Sequence, residues 1–172
     1  MSDTMSEQSA RVAAQSATRQ RADSPGVRIP PPVYYAAVFL IGLFLQARLP
    51  LPYFPQPYAL VLGLVALLPG VALAAVSVIT MLRGKGTLNT NAASAQLVTT
   101  GIYRVSRNPM YVSNALIYGG LASLFSVTWA LVFLPLLIIL TQVVVILPEE
   151  RFLTRHFGDE YRAYKSRVRR WL

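Results

Sequence analysis

Long stretches without ionisable side chains are the feature that most constrains this chain. Residues 108–148 contain no Asp, Glu, Lys or Arg over 41 consecutive positions, and residues 49–82 contain none over 34. A third uncharged run covers residues 29–47. A helix that crosses the hydrocarbon of a bilayer needs about 20 mainly apolar residues. The runs predict an all-α integral membrane protein with about four transmembrane helices. The alternative is a soluble all-α protein, whose core would have to bury the same uncharged stretches.

Polar or proline-rich breaks divide these runs into the predicted spans. A polar stretch at residues 126–128 predicts a tight turn between the last two spans. Gly119 and Gly120 would allow the third span to contact a neighbouring helix closely. Pro69 and Pro135 predict bends in the second and fourth spans. The four predicted spans are residues 33–49, 58–82, 110–126 and 128–147.

The positions of the basic residues orient the predicted spans. Four spans place both termini on one side of the bilayer, and 15 of the 16 Lys and Arg residues then share that side, with only Arg48 opposite. Positively charged residues stay cytoplasmic, so both termini are predicted to be cytoplasmic. The net charge of +9 is then interpreted as that of a cytoplasmic surface that faces anionic lipid. Nucleic-acid binding is the alternative, but its usual helix or sheet readers are missing.

The chain divides into three predicted regions. Residues 1–28 are polar, without an apolar period, and are predicted to be a disordered tail. Residues 29–83 form the two N-terminal transmembrane helices. Residues 84–172 form a core with a cytoplasmic loop, a transmembrane hairpin and amphipathic C-terminal helices that lie on the membrane surface. Gly158 is expected to end the first of these helices and Asp159 to start the second.

Composition excludes several kinds of site. The chain has no cysteine, which excludes disulfides, thiol nucleophiles and Cys-ligated zinc. Its single histidine, His156, is flanked by Arg155 and Phe157 and is interpreted as an interfacial surface residue. No metal site is predicted. No arrangement of glycines matches a dinucleotide fingerprint or a P-loop.

The acids of the membrane core are concentrated at one point. No Asp or Glu occurs between Asp23 and Glu149, so Glu149 and Glu150 close the last apolar run. A hairpin would bring them back to Arg104 and Arg107. As caps of a helix dipole the two acids would each contribute about 0.3–1 kcal/mol. As a site they could accept hydrogen bonds from a ribose or balance a cationic ligand, while the arginines could simply reach lipid phosphate. Spacing alone leaves these alternatives open.

A series of short motifs runs through residues 84–172. In order and spacing they resemble the superfamily of isoprenylcysteine carboxyl methyltransferases and phospholipid methyltransferases. The motifs are Leu97-Val98-Thr99-Thr100-Gly101-Ile102-Tyr103-Arg104, Arg107-Asn108-Pro109-Met110-Tyr111, Glu149-Glu150 followed by Leu153, Phe157-Gly158-Asp159-Glu160-Tyr161 followed by Tyr164, and Val168 followed by Arg170-Trp171.

The resemblance implies an integral membrane methyltransferase of bacterial type, in the inner membrane, that uses S-adenosylmethionine. It places the cofactor at the cytosolic membrane face, between the hairpin ends and the C-terminal helices. It assigns no catalytic residue outright, and the candidates are Arg104, Arg107 and Glu150. By similarity, the residues that bind the cofactor are Ala95, Gln96, Leu97, Val98, Tyr103, Asn108, Pro109, Met110, Tyr111, Glu149 and Glu150.

Three functions compete. The first is methyl transfer to a lipophilic acceptor that enters from the bilayer, such as an isoprenoid-linked carboxylate. Val145 stands where the prenylcysteine branch of the family carries a substrate-side Arg, which argues against prenylcysteine carboxylate itself. The second is N-methylation of phosphatidylethanolamine, with Glu149 or Glu150 as the base. The third is a membrane scaffold without catalysis. The expected partners are the bilayer and a lipid-soluble substrate.

Overall fold

The computed structural model describes residues 30–53, 55–84 and 96–172. Over these ranges the chain is helical, and the predicted tail at residues 1–28 lies outside them. Five α-helices, one 3-10 turn and one π-helical segment follow one another along these ranges. They are α1 (Pro31–Arg48), α2 (Gln56–Arg83), a 3-10 turn (Gly101–Arg104), α3 (Pro109–Leu124), α4 (Thr128–Thr141), a π-helical segment (Gln142–Ile146) and α5 (Leu147–Arg167).

Proline and arginine mark the ends of these helices. Proline has no backbone N–H and a fixed φ, so it suits the first turn of a helix, where the N–H groups have no partner within the helix. The positive charge of an arginine suits the negative end of the helix dipole, and Arg48 and Arg83 occupy the last turns of α1 and α2. The prolines in the first turns of α1, α2, α3 and α5 are Pro31, Pro57, Pro109 and Pro148.

The helices pack side by side around a small aromatic core. α2 packs along α3, α3 contacts α4, and α1 packs mainly against α4. The rings of Tyr35 and Phe39 on α1 each meet the edge of Tyr118 on α3, with ring centroids 5.6 Å apart. Edge-to-face pairs of this kind are favourable beyond the area that they bury. The buried core cluster comprises Tyr35, Tyr118, Ala122, Val127, Ala130 and Leu137.

Side-chain contacts define two opposite ends of the helical bundle. At one end, the Trp129 indole donates a hydrogen bond to the Leu49 carbonyl over 2.8 Å. At the other end, the Tyr34 hydroxyl lies 3.0 Å from the hydroxyl oxygen of Thr141. Arg48 therefore lies at the end opposite to the acids of α5, as the count of basic residues predicts.

Two helices, fewer than the four predicted, are long and apolar enough to cross a bilayer among the described residues. They are Gln56–Arg83 and the stretch Thr128–Arg167, whose backbone leaves the helical conformation at Gly158 (φ 54°), where the sequence predicts the end of a helix. The prediction is confirmed only in part, because it counted uncharged runs rather than helix lengths. α3 has 16 residues, short of the roughly 20 that a span needs. α1 carries two prolines, two tyrosines, a glutamine and an arginine, which lower its hydropathy.

The predicted tight turn between α3 and α4 is confirmed. α3 ends at Leu124 and α4 begins at Thr128. The turn is closed by a hydrogen bond of 2.8 Å from the Val127 N–H to the Ala122 carbonyl. Pro69 and Pro135 both lie inside helices that continue through them.

Gly120 is a point of close approach between α2 and α3. A Cβ atom on Gly120 would lie 2.7 Å from the backbone nitrogen of Leu67, a distance that real Cβ atoms do not show. A Cβ atom on the neighbouring Gly119 would meet only the Leu134 side chain, at 3.4 Å. The predicted close contact between helices is therefore confirmed, and Gly120 rather than Gly119 makes it.

We expect Gly120→Ala to destabilise the protein and Gly119→Ala to leave it unchanged or slightly more stable. The first substitution forces the backbones of α2 and α3 apart, at about 1–3 kcal/mol. The second meets an ordinary contact and gains about 0.5–1 kcal/mol because alanine is a better helix former. Thermal unfolding of both variants in the same detergent tests this pair. Equal melting temperatures would contradict the close contact.

Candidate active site

The π-helical segment Gln142–Ile146 joins the membrane helix α4 to α5. Single turns of π-helix occur often at functional sites. Ile146 has φ −63° and ψ −46°, so the backbone stays helical up to Glu149 and Glu150. The two acids therefore do not stand at a free helix end, and the interpretation of them as dipole caps is wrong.

Tyr111 and Glu149 join the two ends of the hairpin. The Tyr111 hydroxyl, in the first turn of α3, lies 2.8 and 2.9 Å from the two carboxylate oxygens of Glu149 and donates to that carboxylate. Burial raises the pKa of Glu149 to about 7, although the hydrogen bond from Tyr111 acts in the opposite direction. A carboxylate that receives one hydrogen bond keeps further lone pairs for a ligand. The predicted meeting of the hairpin ends is confirmed.

Glu150 is surrounded by three cations. Arg170 binds it through two hydrogen bonds of 2.9 Å, one to each carboxylate oxygen. Arg107 lies 2.8 Å from one oxygen and Lys165 lies 3.5 Å from the other. The side chains of Glu150 and Arg107 are only 7% and 8% exposed. Burial acts to raise the pKa of Glu150, but the hydrogen bonds and charges of the cations outweigh it and hold that pKa below its ordinary value.

Residues 168–172, the C-terminal strap, run alongside the segment that precedes α3. The Arg107 N–H donates to the Arg169 carbonyl over 2.9 Å. The Asn108 side-chain amide donates to the Arg170 carbonyl over 2.9 Å. The Trp171 indole donates to the Gln142 side chain, also over 2.9 Å. The strap thereby ties the N-terminal end of α3 to the π-helical segment.

Tyr103 brings a second hydroxyl towards Glu149. The Tyr164 hydroxyl donates to the Tyr103 carbonyl over 2.7 Å, which fixes the 3-10 turn against α5. The Tyr103 side chain is buried, and within the described ranges its hydroxyl has no hydrogen-bond partner. Burial and the nearby Glu149 charge raise the pKa of Tyr103 to about 12, so the hydroxyl keeps its proton and can donate it to a ligand.

A family model described as phospholipid methyltransferase matches residues 58–160, more than half of the chain. The chain belongs to the phospholipid methyltransferase family. This confirms the superfamily that the motifs resemble, and it supports a membrane methyltransferase activity. No curated protein and no solved structure matches the chain. The match covers both halves of the Tyr111–Glu149 contact but not α1 or the C-terminal strap.

The structure gathers only some of the predicted site residues of this family member around Tyr111 and Glu149. Arg104 is exposed at the end of the 3-10 turn, and Gln96 is exposed. Leu97 and Val98 are half-buried, and Val98 packs beside Gly84 at the end of α2.

The remaining predicted residues lie at the start of α3 or outside the described ranges. Pro109 is buried and Met110 is half-buried. The Asn108 amide is engaged by the strap, so the structure gives it a partner within the chain. Ala95 lies outside the described residues.

Three residues of the site were missed by sequence reasoning. Arg170 and Lys165 complete the cluster around Glu150, and Tyr34 reaches the site from α1. Arg170 stands in a recognised motif, but no pattern in the sequence pairs it with Glu150, which lies 20 positions away. Tyr34 is absent from the residues that the family resemblance assigns to the site.

Removing the charge of Glu150 should destabilise the protein strongly. We expect Glu150→Gln to cost about 3–5 kcal/mol, because Arg107 stays buried without its counter-charge. Asp159→Asn is the matched control, since Asp159 pairs with Arg162 at 2.7 Å but both side chains are exposed. Such surface pairs contribute about 1 kcal/mol or less.

Thermal unfolding in detergent across a range of pH measures both variants. The folded-state pKa of Glu150 lies below its ordinary value, so the stabilisation is present at neutral pH and is lost as the pH falls through that lowered pKa. The gap between wild type and Glu150→Gln should therefore narrow in acid. Equal losses of stability in Glu150→Gln and Asp159→Asn at neutral pH would contradict the stabilising role of the cations around Glu150.

Proposed function

We propose that this chain is an S-adenosylmethionine-dependent membrane methyltransferase that acts on a lipophilic acceptor entering from the bilayer. The observation that carries the proposal is the contact between Tyr111 and Glu149 at the joined ends of the hairpin. Because Glu150 is occupied by Arg107 and Arg170, Glu149 is the acid that remains for a ligand. Membership of the phospholipid methyltransferase family supports methyl transfer.

The residues around Glu149 fit this cofactor. Its ribose hydroxyls and its ammonium group both need an acceptor, and the Glu149 carboxylate has lone pairs left after the Tyr111 bond. The Tyr103 hydroxyl is buried without a partner in the described part of the chain, so it can supply a donor. Met110, the residue before Tyr111, and Leu97 are half-buried, and the family resemblance assigns both to the cofactor, where they would offer apolar surface for the adenine. In the proposed site these residues hold the cofactor.

The reaction requires little acid–base chemistry from the chain. When bound, S-adenosylmethionine supplies a methyl group on a positively charged sulfur, and an acceptor lone pair takes this methyl while the sulfur keeps the bonding electrons. The residues of the chain have to align the acceptor and keep water out. Glu149 and Tyr111 lie where the hairpin meets the strap-bound end of the bundle, which suits both tasks.

We further propose four spans with both termini cytoplasmic, in a bacterial inner membrane. α1 and α3 would act as short spans beside the two longer helices. The arrangement of the described arginines supports this topology, since Arg48 lies at one end of the bundle while Arg107 and Arg170 lie at the other. In the same proposal residues 1–28 form a tail, residues 29–83 the first helix pair, and residues 84–172 the methyltransferase core.

N-methylation of phosphatidylethanolamine is the second candidate, and one observation favours it. An ammonium acceptor must lose a proton before it can attack, whereas a carboxylate acceptor needs no base. The pKa of Glu149 is raised to about 7, which suits a carboxyl that takes up a proton near neutral pH. Val145 is fully buried in the π-helical segment and offers no charge to a carboxylate acceptor.

We expect Glu149→Gln to weaken S-adenosylmethionine binding by about 10- to 100-fold, the loss of a hydrogen bond to a charged group of about 1.5–3 kcal/mol. Isothermal titration of the purified protein measures this affinity. Glu160→Gln is the matched control, because Glu160 is an exposed acid of the helical segment that follows Gly158. No binding by the wild type would overturn the proposal and favour a non-catalytic scaffold.

The same titration as a function of pH tests whether the affinity for S-adenosylmethionine depends on the charge of Glu149. Below a pKa of about 7 the free carboxyl is protonated and must lose its proton to bind a cation. The affinity of the wild type should therefore rise between about pH 6 and pH 8, and that of Glu149→Gln should stay flat. A parallel rise in both proteins would assign the dependence to another group.

Labelled methyl donor given to membranes with and without the protein identifies the acceptor. We expect label in the lipid extract only when the protein is present, because the acceptor is proposed to enter from the bilayer. A base-labile methyl ester would support the carboxylate acceptor. Methylated phosphatidylethanolamine would support the second candidate. Label confined to water-soluble products would contradict a lipophilic acceptor.

A further inference from the structure

Helix α1 reaches the candidate site although it lies outside the region matched by the family. The hydroxyl of Tyr34, in the first turns of α1, lies 3.0 Å from the hydroxyl oxygen of Thr141. Thr141 is fully buried and donates its single hydroxyl hydrogen to the Leu137 carbonyl over 2.7 Å. The Tyr35 hydroxyl lies 3.3 Å from the same Thr141 oxygen, so Thr141 holds both tyrosine hydroxyls and fixes the orientation of the Tyr34 ring.

The Tyr34 ring lies on the bilayer side of the Tyr111–Glu149 contact. Thr141 precedes Glu149 by eight positions in one continuous helical stretch, a rise of about 12 Å towards the membrane interior. At the same time the Tyr34 hydroxyl is close enough to interact electrostatically with the Glu149 carboxylate and with the Tyr111 hydroxyl. Tyr34 therefore lies between the hydrocarbon part of the bundle and the candidate site.

Tyr34 also lies at the boundary between the helical interior and lipid. Tyr35, the next residue, is turned inward and is 5% exposed, whereas Val33 on the other side is 56% exposed. Tyr34 itself is half-buried, and its ring leans against that of Tyr35 with centroids 5.4 Å apart. With the hydroxyl held by Thr141, the part of the ring that stays exposed is an apolar surface on the bilayer side of Glu149.

We propose that the Tyr34 ring forms the bilayer-side wall of the acceptor site and orients a lipid acceptor between the hydrocarbon and the Tyr111–Glu149 pair. An aromatic side chain suits this place, because its body is apolar while its polar tip can be anchored at the membrane interface. The inference rests on the proposed methyltransferase function. It assigns one wall of the acceptor site to α1. Cofactor binding is left to residues outside α1.

Kinetics with native membrane lipid test this assignment. Label transfer from S-adenosylmethionine is measured against increasing amounts of total lipid extract in detergent micelles, and cofactor affinity is measured by isothermal titration. We expect Tyr34→Ala to raise the apparent KM for lipid about tenfold, with kcat and the cofactor Kd within about twofold of wild type. Tyr34→Phe should behave like the wild type, because it keeps the ring.

Phe44→Ala is the matched control, since Phe44 is an aromatic residue of the same helix that is 59% exposed and lies towards the opposite end. It should leave KM unchanged. An unchanged KM in Tyr34→Ala would overturn the inference, and so would a KM in Tyr34→Phe as high as in Tyr34→Ala. A parallel loss of cofactor affinity and thermal stability in Tyr34→Ala would also overturn it. No label transfer by the wild type would overturn the proposed function and this inference with it.

Discussion

The ion pairs of Glu150 hold this end of the molecule together. A carboxylate that is 7% exposed has lost most of its hydration, and the cations of Arg107 and Arg170 replace the lost water. These residues belong to three separate parts of the chain: α5, the segment before α3, and the C-terminal strap. A buried ion pair adds little net stability compared with apolar packing, but breaking it leaves a charge without a partner. The cluster therefore fixes how the three parts meet.

That arrangement gives two adjacent acids different tasks. Neighbouring residues on a helix point about 100° apart, so Glu149 faces Tyr111 while Glu150 faces the strap. Burial without a cation raises the pKa of Glu149, whereas the surrounding cations lower that of Glu150. One acid is left with lone pairs for a ligand, and the other is committed to structure.

Sequence reasoning succeeded where the signal is local and failed where partners are distant. Uncharged runs, helix-starting prolines and the break at residues 126–128 predicted the helices, the tight turn and the meeting of Tyr111 with Glu149. Only two of the four predicted spans are long and apolar enough in the described residues, because the absence of charge gives neither the length nor the hydropathy of a helix. The pairing of Glu150 with Arg170 could not be read, since any of the nearby basic residues fits the pattern. A π-helical turn leaves no mark in an apolar stretch such as residues 142–146.

The candidate site therefore includes residues outside the region that the family model matches. The match at residues 58–160 contains Tyr111 and Glu149, but the strap that fixes Glu150 lies after it and Tyr34 lies before it. On the proposed function, an acceptor from the bilayer approaches Glu149 from the side where the helices are apolar, since the charged side chains and the strap surround Glu150. α1 is the described helix that places an aromatic ring on that route. On the function proposed here, differences in α1 between relatives would change which lipid is methylated, while the Tyr111–Glu149 pair would continue to hold the methyl donor.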